Sequence, residues 1–230
     1  MTETQTNLRP VRSFVRREGR LTSGQQRALE RLYPRYGITT GNASLDLAAA
    51  FGRDAPVILD VGFGDGDALA RLAERHPERN YLGIEVYRAG IGRLLRQLEQ
   101  HALDNVRVVE GDAVTVLRDA MPAASLAGLN LFFPDPWPKK RHHKRRMVQP
   151  AWLALVAERL QAGATLHLAT DWADYAEHML AVVQASDAFH NPHAGYAPDP
   201  GERPVTKFER RGRTKGHGVW DIIVQRLARD

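Results

Sequence analysis

Apolar residues along the chain form two alternating patterns from residue 57 onward. Short continuous runs, such as Val-Ile-Leu-Asp-Val at 57–61, are typical of strands buried on both faces. Between them, apolar positions recur with the spacing of amphipathic helices, as in residues 91–101. The patterns predict strands at 57–61, 81–86, 106–109, 129–133, 165–169 and 219–225, and helices at 25–32, 68–75, 91–101, 149–160 and 172–184. Strands alternating with helices indicate an α/β protein with a parallel sheet covered on both faces.

The segments outside this alternation suggest how the chain is organised. Residues 1–40 are interpreted as a basic N-terminal arm, either solvated or in contact with RNA, followed by a short helix that Pro34 and Gly37 end. Residues 41–230 are expected to form a single domain, since their length suits one α/β unit. Residues 187–203 are rich in Pro, Gly, His and Asp and predict a surface loop.

Composition narrows the class of protein. With 43% hydrophobic residues the chain can form a core, and no run reaches the roughly 20 apolar residues of a membrane span. The first twenty residues lack the apolar centre of a signal peptide, so we expect a soluble, cytoplasmic protein without a membrane partner. The absence of cysteine excludes disulfides and thiolate metal sites, and we expect no metal. The sequence is compatible with a monomer or a homodimer.

A glycine-rich turn follows the first predicted strand. Gly62, Gly64 and Gly66 form a G-x-G-x-G pattern, which differs from the G-x-G-x-x-G spacing of dinucleotide sites. Asp60 comes directly before this turn, where a carboxylate would repel a pyrophosphate and attract an ammonium group. The turn therefore favours a ligand with an amino group over a dinucleotide.

Carboxylates also follow the next two strands. Glu85 can accept hydrogen bonds from both hydroxyls of a ribose, and Asp112 from the amine of an adenine, although Asp112 equally fits a helix N-cap. Open α/β sheets bind ligands at this carboxyl edge, and with Asp60 these acids match the three parts of S-adenosyl-L-methionine. In these features the sequence resembles the class I methyltransferases. That resemblance implies a Rossmann-like, mostly parallel doubly wound sheet with an antiparallel C-terminal strand.

A proline-rich segment with a basic tail follows the fourth predicted strand. Residues 132–138 read Phe-Phe-Pro-Asp-Pro-Trp-Pro, and the prolines should stiffen the backbone around Asp135 and Trp137. All eight residues at 139–146 are Lys, Arg or His, a concentration of charge that a polyanion such as RNA would compensate. A solvated basic loop and a Trp137 side chain packed in the core remain the alternatives. Adjacent histidines at 142 and 143 lack metal-ligand spacing.

This segment resembles the tRNA (guanine-N7)-methyltransferase family. Further matches are Ala-Thr-Asp-Trp at 169–172, Arg-Pro-Val-Thr-Lys-Phe-Glu at 203–209 and Gly-His-Gly-Val-Trp at 216–220. Many members carry Glu where this chain has Asp60. The resemblance implies methylation of the variable-loop guanine of tRNA at position forty-six, with Asp135 as the active-site acid. It also implies cofactor contacts by Asp60, Gly62, Gly64, Gly66, Glu85, Asp112 and Asp135, substrate contacts by Lys139, Asp171, Thr206, Lys207, Phe208 and Glu209, and RNA contacts by Arg141, His142, His143, Lys144, Arg145 and Arg146.

Three other functions share some of these features. A nicotinamide-dependent oxidoreductase would use the glycine turn and Glu85, but Asp60 and the basic run disfavour it. A noncatalytic RNA-binding protein would keep the basic run without needing the cofactor acids. A methyltransferase acting on an exocyclic amine carries an Asp-Pro-Pro-Tyr type of loop at the same place, whereas residues 135–137 here read Asp-Pro-Trp.

Overall fold

The computed structural model describes residues 21–41, 43–205, 209 and 218–228. Its strands are β1 Val57–Val61, β2 Asn80–Glu85, β3 Val106–Glu110, β4 Leu126–Phe132, β5 Leu160–Thr170, β6 Phe189–His190 and β7 Trp220–Arg226. Its helices are α1 Ser23–Tyr36, α2 Leu47–Phe51, α3 Asp67–Arg75, α4 Arg88–Gln100, α5 Ala113–Asp119, α6 Pro150–Arg159 and α7 Ala173–Gln184, and a 3₁₀ helix spans Lys140–Arg145. None of the helices in these ranges combines the length and the hydrophobicity that crossing a membrane requires.

The described strands form one sheet in the order β3-β2-β1-β4-β5-β7-β6. β1 to β5 run parallel, whereas β7 pairs antiparallel with β5, and β6 pairs antiparallel with β7. This confirms the predicted mostly parallel doubly wound sheet with an antiparallel C-terminal strand. Phe132, Ala169 and Asp221 lie side by side on β4, β5 and β7, which places the loops after β4 and β5 next to each other.

Hydrophobic clusters cover both faces of the sheet because successive side chains of a strand point to opposite faces. Leu59 and Leu82 belong to the cluster that includes residues of α5, α6 and α7. Tyr81 and Val108 belong to the other, which includes residues of α1, α3 and α4. The central strand runs are mostly apolar because helices cover both faces of the sheet.

Helix α1 is longer than its sequence predicts. Thr22 and Gln25 form a reciprocal capping box at its start, but Pro34 lies inside the helix, which continues to Tyr36. Pro34 lacks the N–H that would bond to the carbonyl of residue 30, yet Tyr36 is only 1% exposed and its packing holds the last turn. The backbone N–H of Ile38 then donates to the carbonyl of Val108 on β3 at 2.8 Å, which joins this segment to the sheet.

Residues 191–202 are irregular and none of them is buried, as the predicted surface loop at 187–203 requires, but the two ends of that segment differ. Phe189 and His190 form the edge strand β6, and the side chains of Phe189 and Arg203 are buried. Local composition missed this because β6 is only two residues long and depends on pairing with β7. The short helix α2 was likewise not predicted, and residues 1–20 of the proposed arm lie outside the described residues.

Candidate active site

The glycine turn lies between β1 and α3, at the carboxyl edge of the sheet. Gly62, Gly64 and Gly66 have φ angles of 69°, 57° and 80°, in the left-handed region that favours glycine. A Cβ added at Gly66 would lie 2.6 Å from the Cβ of Leu94, so this glycine also allows α4 to pack closely. A Cβ at Gly62 or Gly64 would meet no atom of the described residues within 4 Å, which leaves space over the turn for a ligand.

Asp60 is buried at the end of β1, with only 3% of its surface exposed. Its Oδ2 atom has no hydrogen-bond partner among the described residues, whereas the Asn130 side chain bonds to the carboxyl group. Desolvation raises the pKa of Asp60 to about 7, against the effect of Asn130. An ammonium group beside Oδ2 would supply the missing donor and favour the ionised form, so the site fits the amino acid part of S-adenosylmethionine.

Glu85 ends β2 beside Asp60 and binds the glycine turn. Its Oε2 accepts a hydrogen bond from the N–H of Gly64 at 2.8 Å. Its Oε1 accepts from the N–H groups of Val86 at 2.7 Å and Tyr87 at 3.0 Å. Burial raises the pKa of Glu85, although these three N–H groups oppose the rise. Since each carboxylate oxygen can accept about two hydrogen bonds, Oε2 retains capacity for a ribose hydroxyl.

Asp112 caps the N-terminus of α5. Its Oδ1 accepts from the backbone N–H of Val114 at 2.8 Å and of Thr115 at 3.2 Å. The N-cap alternative is therefore observed. Because both cap bonds use Oδ1, the contact with adenine remains a prediction for Oδ2.

The loop that follows β4, residues 133–138, is named the proline loop. Phe133 and Trp137 flank its centre with φ angles of 53° and 46°. Such angles in bulky residues cost about 1–3 kcal/mol each and persist only where surrounding contacts hold them. The N–H of Phe133 donates to the carbonyl of Ala169 at 2.8 Å, which holds one end. Asp135, between the strained residues, is exposed, and its charge raises the pKa of Glu85.

Arg146 holds the other end of the proline loop. Its Nε donates to the carbonyl of Pro136 at 3.0 Å, and its guanidinium pairs with Asp174 and lies 4.8 Å from the ring centroid of Tyr175. The Arg146 side chain is only 1% exposed. This differs from its predicted contact with RNA, because the guanidinium is buried among protein groups; the pattern of charges alone does not distinguish a buried arginine from its exposed neighbours.

The remaining basic residues lie on the 3₁₀ helix, named the basic helix, and just before it. The Arg145 guanidinium lies 4.7 Å from the Trp137 ring centroid, and the His142 ring meets Trp137 edge-on at 5.8 Å. Trp137 is thus partly buried against this helix. Desolvation and the neighbouring cations lower the pKa of His142. His143 is half-buried, with Nε2 3.8 Å from Asp174. The exposed cations are Lys139, Lys140, Arg141, Lys144 and Arg145.

Asp171 and Trp172 follow β5, next to the proline loop. The N-cap of α7 is Trp172, and within the described part of the chain the Asp171 carboxylate has no hydrogen bond or ion pair. Trp172 is 37% exposed and presents an aromatic surface beside this carboxylate. Thr206, Lys207 and Phe208 lie outside the described residues. In the ranges that are described, no cluster of three or more His, Asp or Glu residues has the arrangement of a metal site.

Comparisons with known proteins agree with this geometry. Residues 54–222 match the model of a family described as a putative methyltransferase. A tRNA (guanine-N(7)-)-methyltransferase of Alkalilimnicola ehrlichii is 58% identical over 96% of this chain and 94% of its own length. The protein of the same name from Alcanivorax borkumensis is 52% identical, over 98% and 95%. This chain belongs to the tRNA (guanine-N(7)-)-methyltransferase family.

Solved structures support the fold assigned to this family member. The 16S rRNA methyltransferase KamB has a TM-score of 0.59 at 16% identity and covers 80% of this chain and 95% of its own. An S-adenosylmethionine-dependent O-methyltransferase from Thermotoga maritima has a TM-score of 0.51 at 17% identity, with coverages of 77% and 61%. At these identities the likeness shows the Rossmann-like methyltransferase fold alone.

One group of buried residues in this family member includes Glu209, whose predicted contact with substrate does not fit its 1% exposure, and three residues that were given no role from sequence. Arg203 donates to Asp221 through Nε at 2.7 Å and Nη2 at 2.8 Å, and to Glu209 through Nη1 at 2.6 Å. His167 Nε2 lies 2.8 Å from Asp221 Oδ1. Asp221, an acid directly before the apolar run at 222–224, was the one signal in the sequence. Arg203, Glu209, Asp221 and His167 are named the arginine network.

Proposed function

We propose that this protein transfers the methyl group of S-adenosylmethionine to N7 of a guanine in tRNA, at the variable-loop position forty-six, and forms 7-methylguanosine in the cytoplasm. One observation carries the proposal. The buried carboxylates of Asp60 and Glu85, the proline loop with Asp135, and the basic helix all lie along one edge of the sheet. The names of relatives at 50–58% identity support the same activity.

The acids at the strand ends account for the proposed cofactor site. S-adenosylmethionine, when bound, supplies a methyl group on a positively charged sulfur. Asp60 would accept from its ammonium group, since the buried Oδ2 has no partner among the described residues. Glu85 would accept from a ribose hydroxyl, and Asp112 from the adenine amine. The glycine turn leaves room for this ligand because, among the described residues, no atom lies within 4 Å of a Cβ placed at Gly62 or Gly64.

Guanine N7 needs no general base, because it carries a lone pair and no proton. The N7–methyl bond forms as the sulfur–methyl bond breaks, and the electron pair of that bond returns to sulfur. Positive charge therefore passes from sulfur to the guanine. Asp135 would orient the base and stabilise this developing charge, so the catalytic effect is positional and electrostatic.

Contacts with RNA are proposed for the exposed surface beside this loop. Arg141 and Lys144 are exposed and would contact phosphates, and the exposed Lys139 would contact the substrate beside them. Asp171 and residues 206–208 would contact the substrate guanine, and Trp172 offers an aromatic surface next to Asp171. Glu209 is left out because its side chain is buried and paired with Arg203. Arg146 is left out of this surface because its side chain is buried.

Replacing Asp135 tests the assigned mechanism. We expect Asp135→Asn to lower the single-turnover rate of methyl transfer to tRNA by about 10²-fold or more, because the variant lacks an electrostatic group at the reacting atoms. Calorimetry should show a much smaller loss of cofactor affinity, because Asp60, Glu85 and Asp112 keep their proposed contacts with the cofactor. Asp187→Asn, at an exposed aspartate after α7, is the matched control and should retain the wild-type rate. A rate for Asp135→Asn within about threefold of wild type would contradict the role of Asp135.

Binding and methylation assays on the same protein distinguish this activity from the other candidate functions. A nicotinamide-dependent enzyme would bind the dinucleotide in a tryptophan-quenching titration, although buried Asp60 next to the turn disfavours the pyrophosphate. A noncatalytic RNA-binding protein would bind tRNA without binding S-adenosylmethionine. An amine methyltransferase would label tRNA in a nucleoside other than 7-methylguanosine.

A further inference from the structure

Arg203 is a buried cation that contacts three separate segments of the chain. Its side chain is 1% exposed, and it donates to Asp221 on β7 through two parallel hydrogen bonds and to Glu209 through a third. Its guanidinium carbon also lies 5.3 Å from the ring centroid of Phe133 and 5.9 Å from that of Phe132. A planar guanidinium suits this combination of a paired carboxylate and aromatic faces.

These contacts lie directly beneath the proline loop. Asp221 pairs with Ala169 on β5, and Ala169 pairs with Phe132 on β4, so the three strands are level at this point. Phe133, which begins the proline loop, has a strained φ of 53°. Because strain of this kind persists only where neighbouring groups hold it, the Arg203 contact on the Phe133 ring helps to fix where the loop begins.

The ion pair to Glu209 extends the same connection to the C-terminal part of the chain. Glu209 is 1% exposed, and its Oε2 accepts from Arg203 Nη1 at 2.6 Å. The pair thereby fixes residues 203 and 209, on either side of the 206–208 stretch. Asp221 Oδ1 is shared with His167 at 2.8 Å, and the His167 ring packs edge-on against Phe132 at 4.9 Å. The arginine network therefore links β4, β5, β7 and Glu209.

We propose that Arg203 is a positioning residue for methyl transfer, which holds the proline loop and Glu209 at a fixed spacing so that Asp135 meets the substrate guanine correctly. This inference rests on the proposed function. Arg203 is buried, places its guanidinium over the ring of Phe133 at the start of the proline loop, and acts on the reaction through Asp135. A displacement of about 1 Å in an active site can cost about 10²-fold in rate, so small shifts of the loop should be measurable.

Arg203→Lys tests the proposal because lysine keeps the charge but cannot make the paired hydrogen bonds or the planar stacking. We expect kcat at saturating S-adenosylmethionine and tRNA to fall by about tenfold or more. The dissociation constant of S-adenosylmethionine should stay within about threefold, because the arginine network does not include Asp60 or Glu85. Hydrogen–deuterium exchange should increase in the peptide that contains Phe133 and Trp137, a readout that does not depend on activity.

Arg226→Lys provides the matched control. Arg226 is likewise a buried arginine, but it lies on β7 itself and donates to the carbonyls of Ala157 and Ala188, at the end of the strand remote from the proline loop. The Arg226→Lys variant should have a lower melting temperature than wild type. Its kcat should stay within about twofold of wild type, and hydrogen–deuterium exchange in the proline loop should be unchanged. Equal losses of kcat in the two variants, or a kcat of Arg203→Lys within about twofold of wild type, would overturn the proposal.

Asp221→Asn keeps the proposal testable if Arg203→Lys does not fold. The amide retains one acceptor for Arg203, so we expect a smaller kcat loss of the same kind, with increased exchange in the proline loop. Unchanged exchange and kcat in this variant would contradict the inference. Failure of the proposed function is distinguishable, because it would appear as absent methyl transfer to tRNA in the wild-type protein, whereas the exchange comparison of variants still decides the positioning role.

Discussion

At the residue scale, the buried carboxyl group of Asp60 that is proposed to bind the cofactor also lowers the stability of the cofactor-free protein at neutral pH. Its buried carboxyl group has a pKa raised to about 7, whereas an aspartate in an unfolded chain titrates near ~3.9. Between these values the folded protein holds a proton that the unfolded chain has released. The free energy of unfolding therefore falls as pH rises from about 4 to about 7. Above this window the folded protein carries a buried anion whose Oδ2 has no partner among the described residues.

Asp60→Asn should remove this dependence on pH. Relative to the variant, the wild-type protein should lose up to about 1.4 kcal/mol of unfolding free energy per pH unit across the window, measured by urea denaturation without cofactor. The variant should also bind S-adenosylmethionine weakly at pH 8, because a neutral amide does not attract an ammonium group. Parallel stability curves for the two proteins between pH 4 and pH 8 would show that Asp60 is not the titrating group.

Residues that act through neighbouring strands could be identified from sequence, and those that act through distant segments could not. Asp60 and Glu85 were identified because each ends a recognisable strand, and parallel strands bring their carboxyl ends to one edge. The role of Arg203 depends on β7 and on residue 209, which meet it only after the sheet has formed. The burial of Arg146 could not be predicted from sequence either, because its partner Asp174 lies on α7, which is separate in the chain.

At the scale of elements, the basic helix and the proline loop form one unit. The aromatic ring of Trp137 packs against Arg145 and His142, so the cations are held next to Asp135 instead of extending freely into solvent. The helix is a 3₁₀ helix of six residues, and in the described part of the chain it has no acid in its first turn. A neighbouring anion would relieve the repulsion among its cations and would raise the lowered pKa of His142.

Removing positive charge from the basic helix should lower the affinity for tRNA and should also make that affinity less dependent on salt concentration. We expect the double variant Arg141→Gln and Lys144→Gln to reduce the slope of log affinity against log salt by about 0.7–0.9 for each phosphate that the variant no longer neutralises. Filter binding at several salt concentrations measures this slope. Arg118→Gln, an exposed arginine at the end of α5, is the control and should leave the slope unchanged. Equal slopes for all three proteins would exclude the basic helix as a phosphate-binding surface.

At the scale of the whole molecule, the order of the strands brings the proposed activities together. β1, β2 and β3 end at the acids of the cofactor site, whereas β4 and β5 end at the proline loop and at Asp171. The alternation of apolar runs and helices predicted this arrangement, because the strands of a parallel sheet run in one direction and their carboxyl ends lie at the same edge. Strand β6 and helix α2 were not predicted, because they are too short to carry a periodic pattern.

The most direct test of the proposed function is methyl transfer from labelled S-adenosylmethionine to unmodified tRNA, followed by nucleoside analysis. We predict that the label appears in 7-methylguanosine, which would establish the cofactor, the substrate class and the target atom in one measurement. Label in a different methylated nucleoside would contradict the assignment of guanine N7. Absence of label in tRNA, with cofactor binding intact, would contradict tRNA as the substrate.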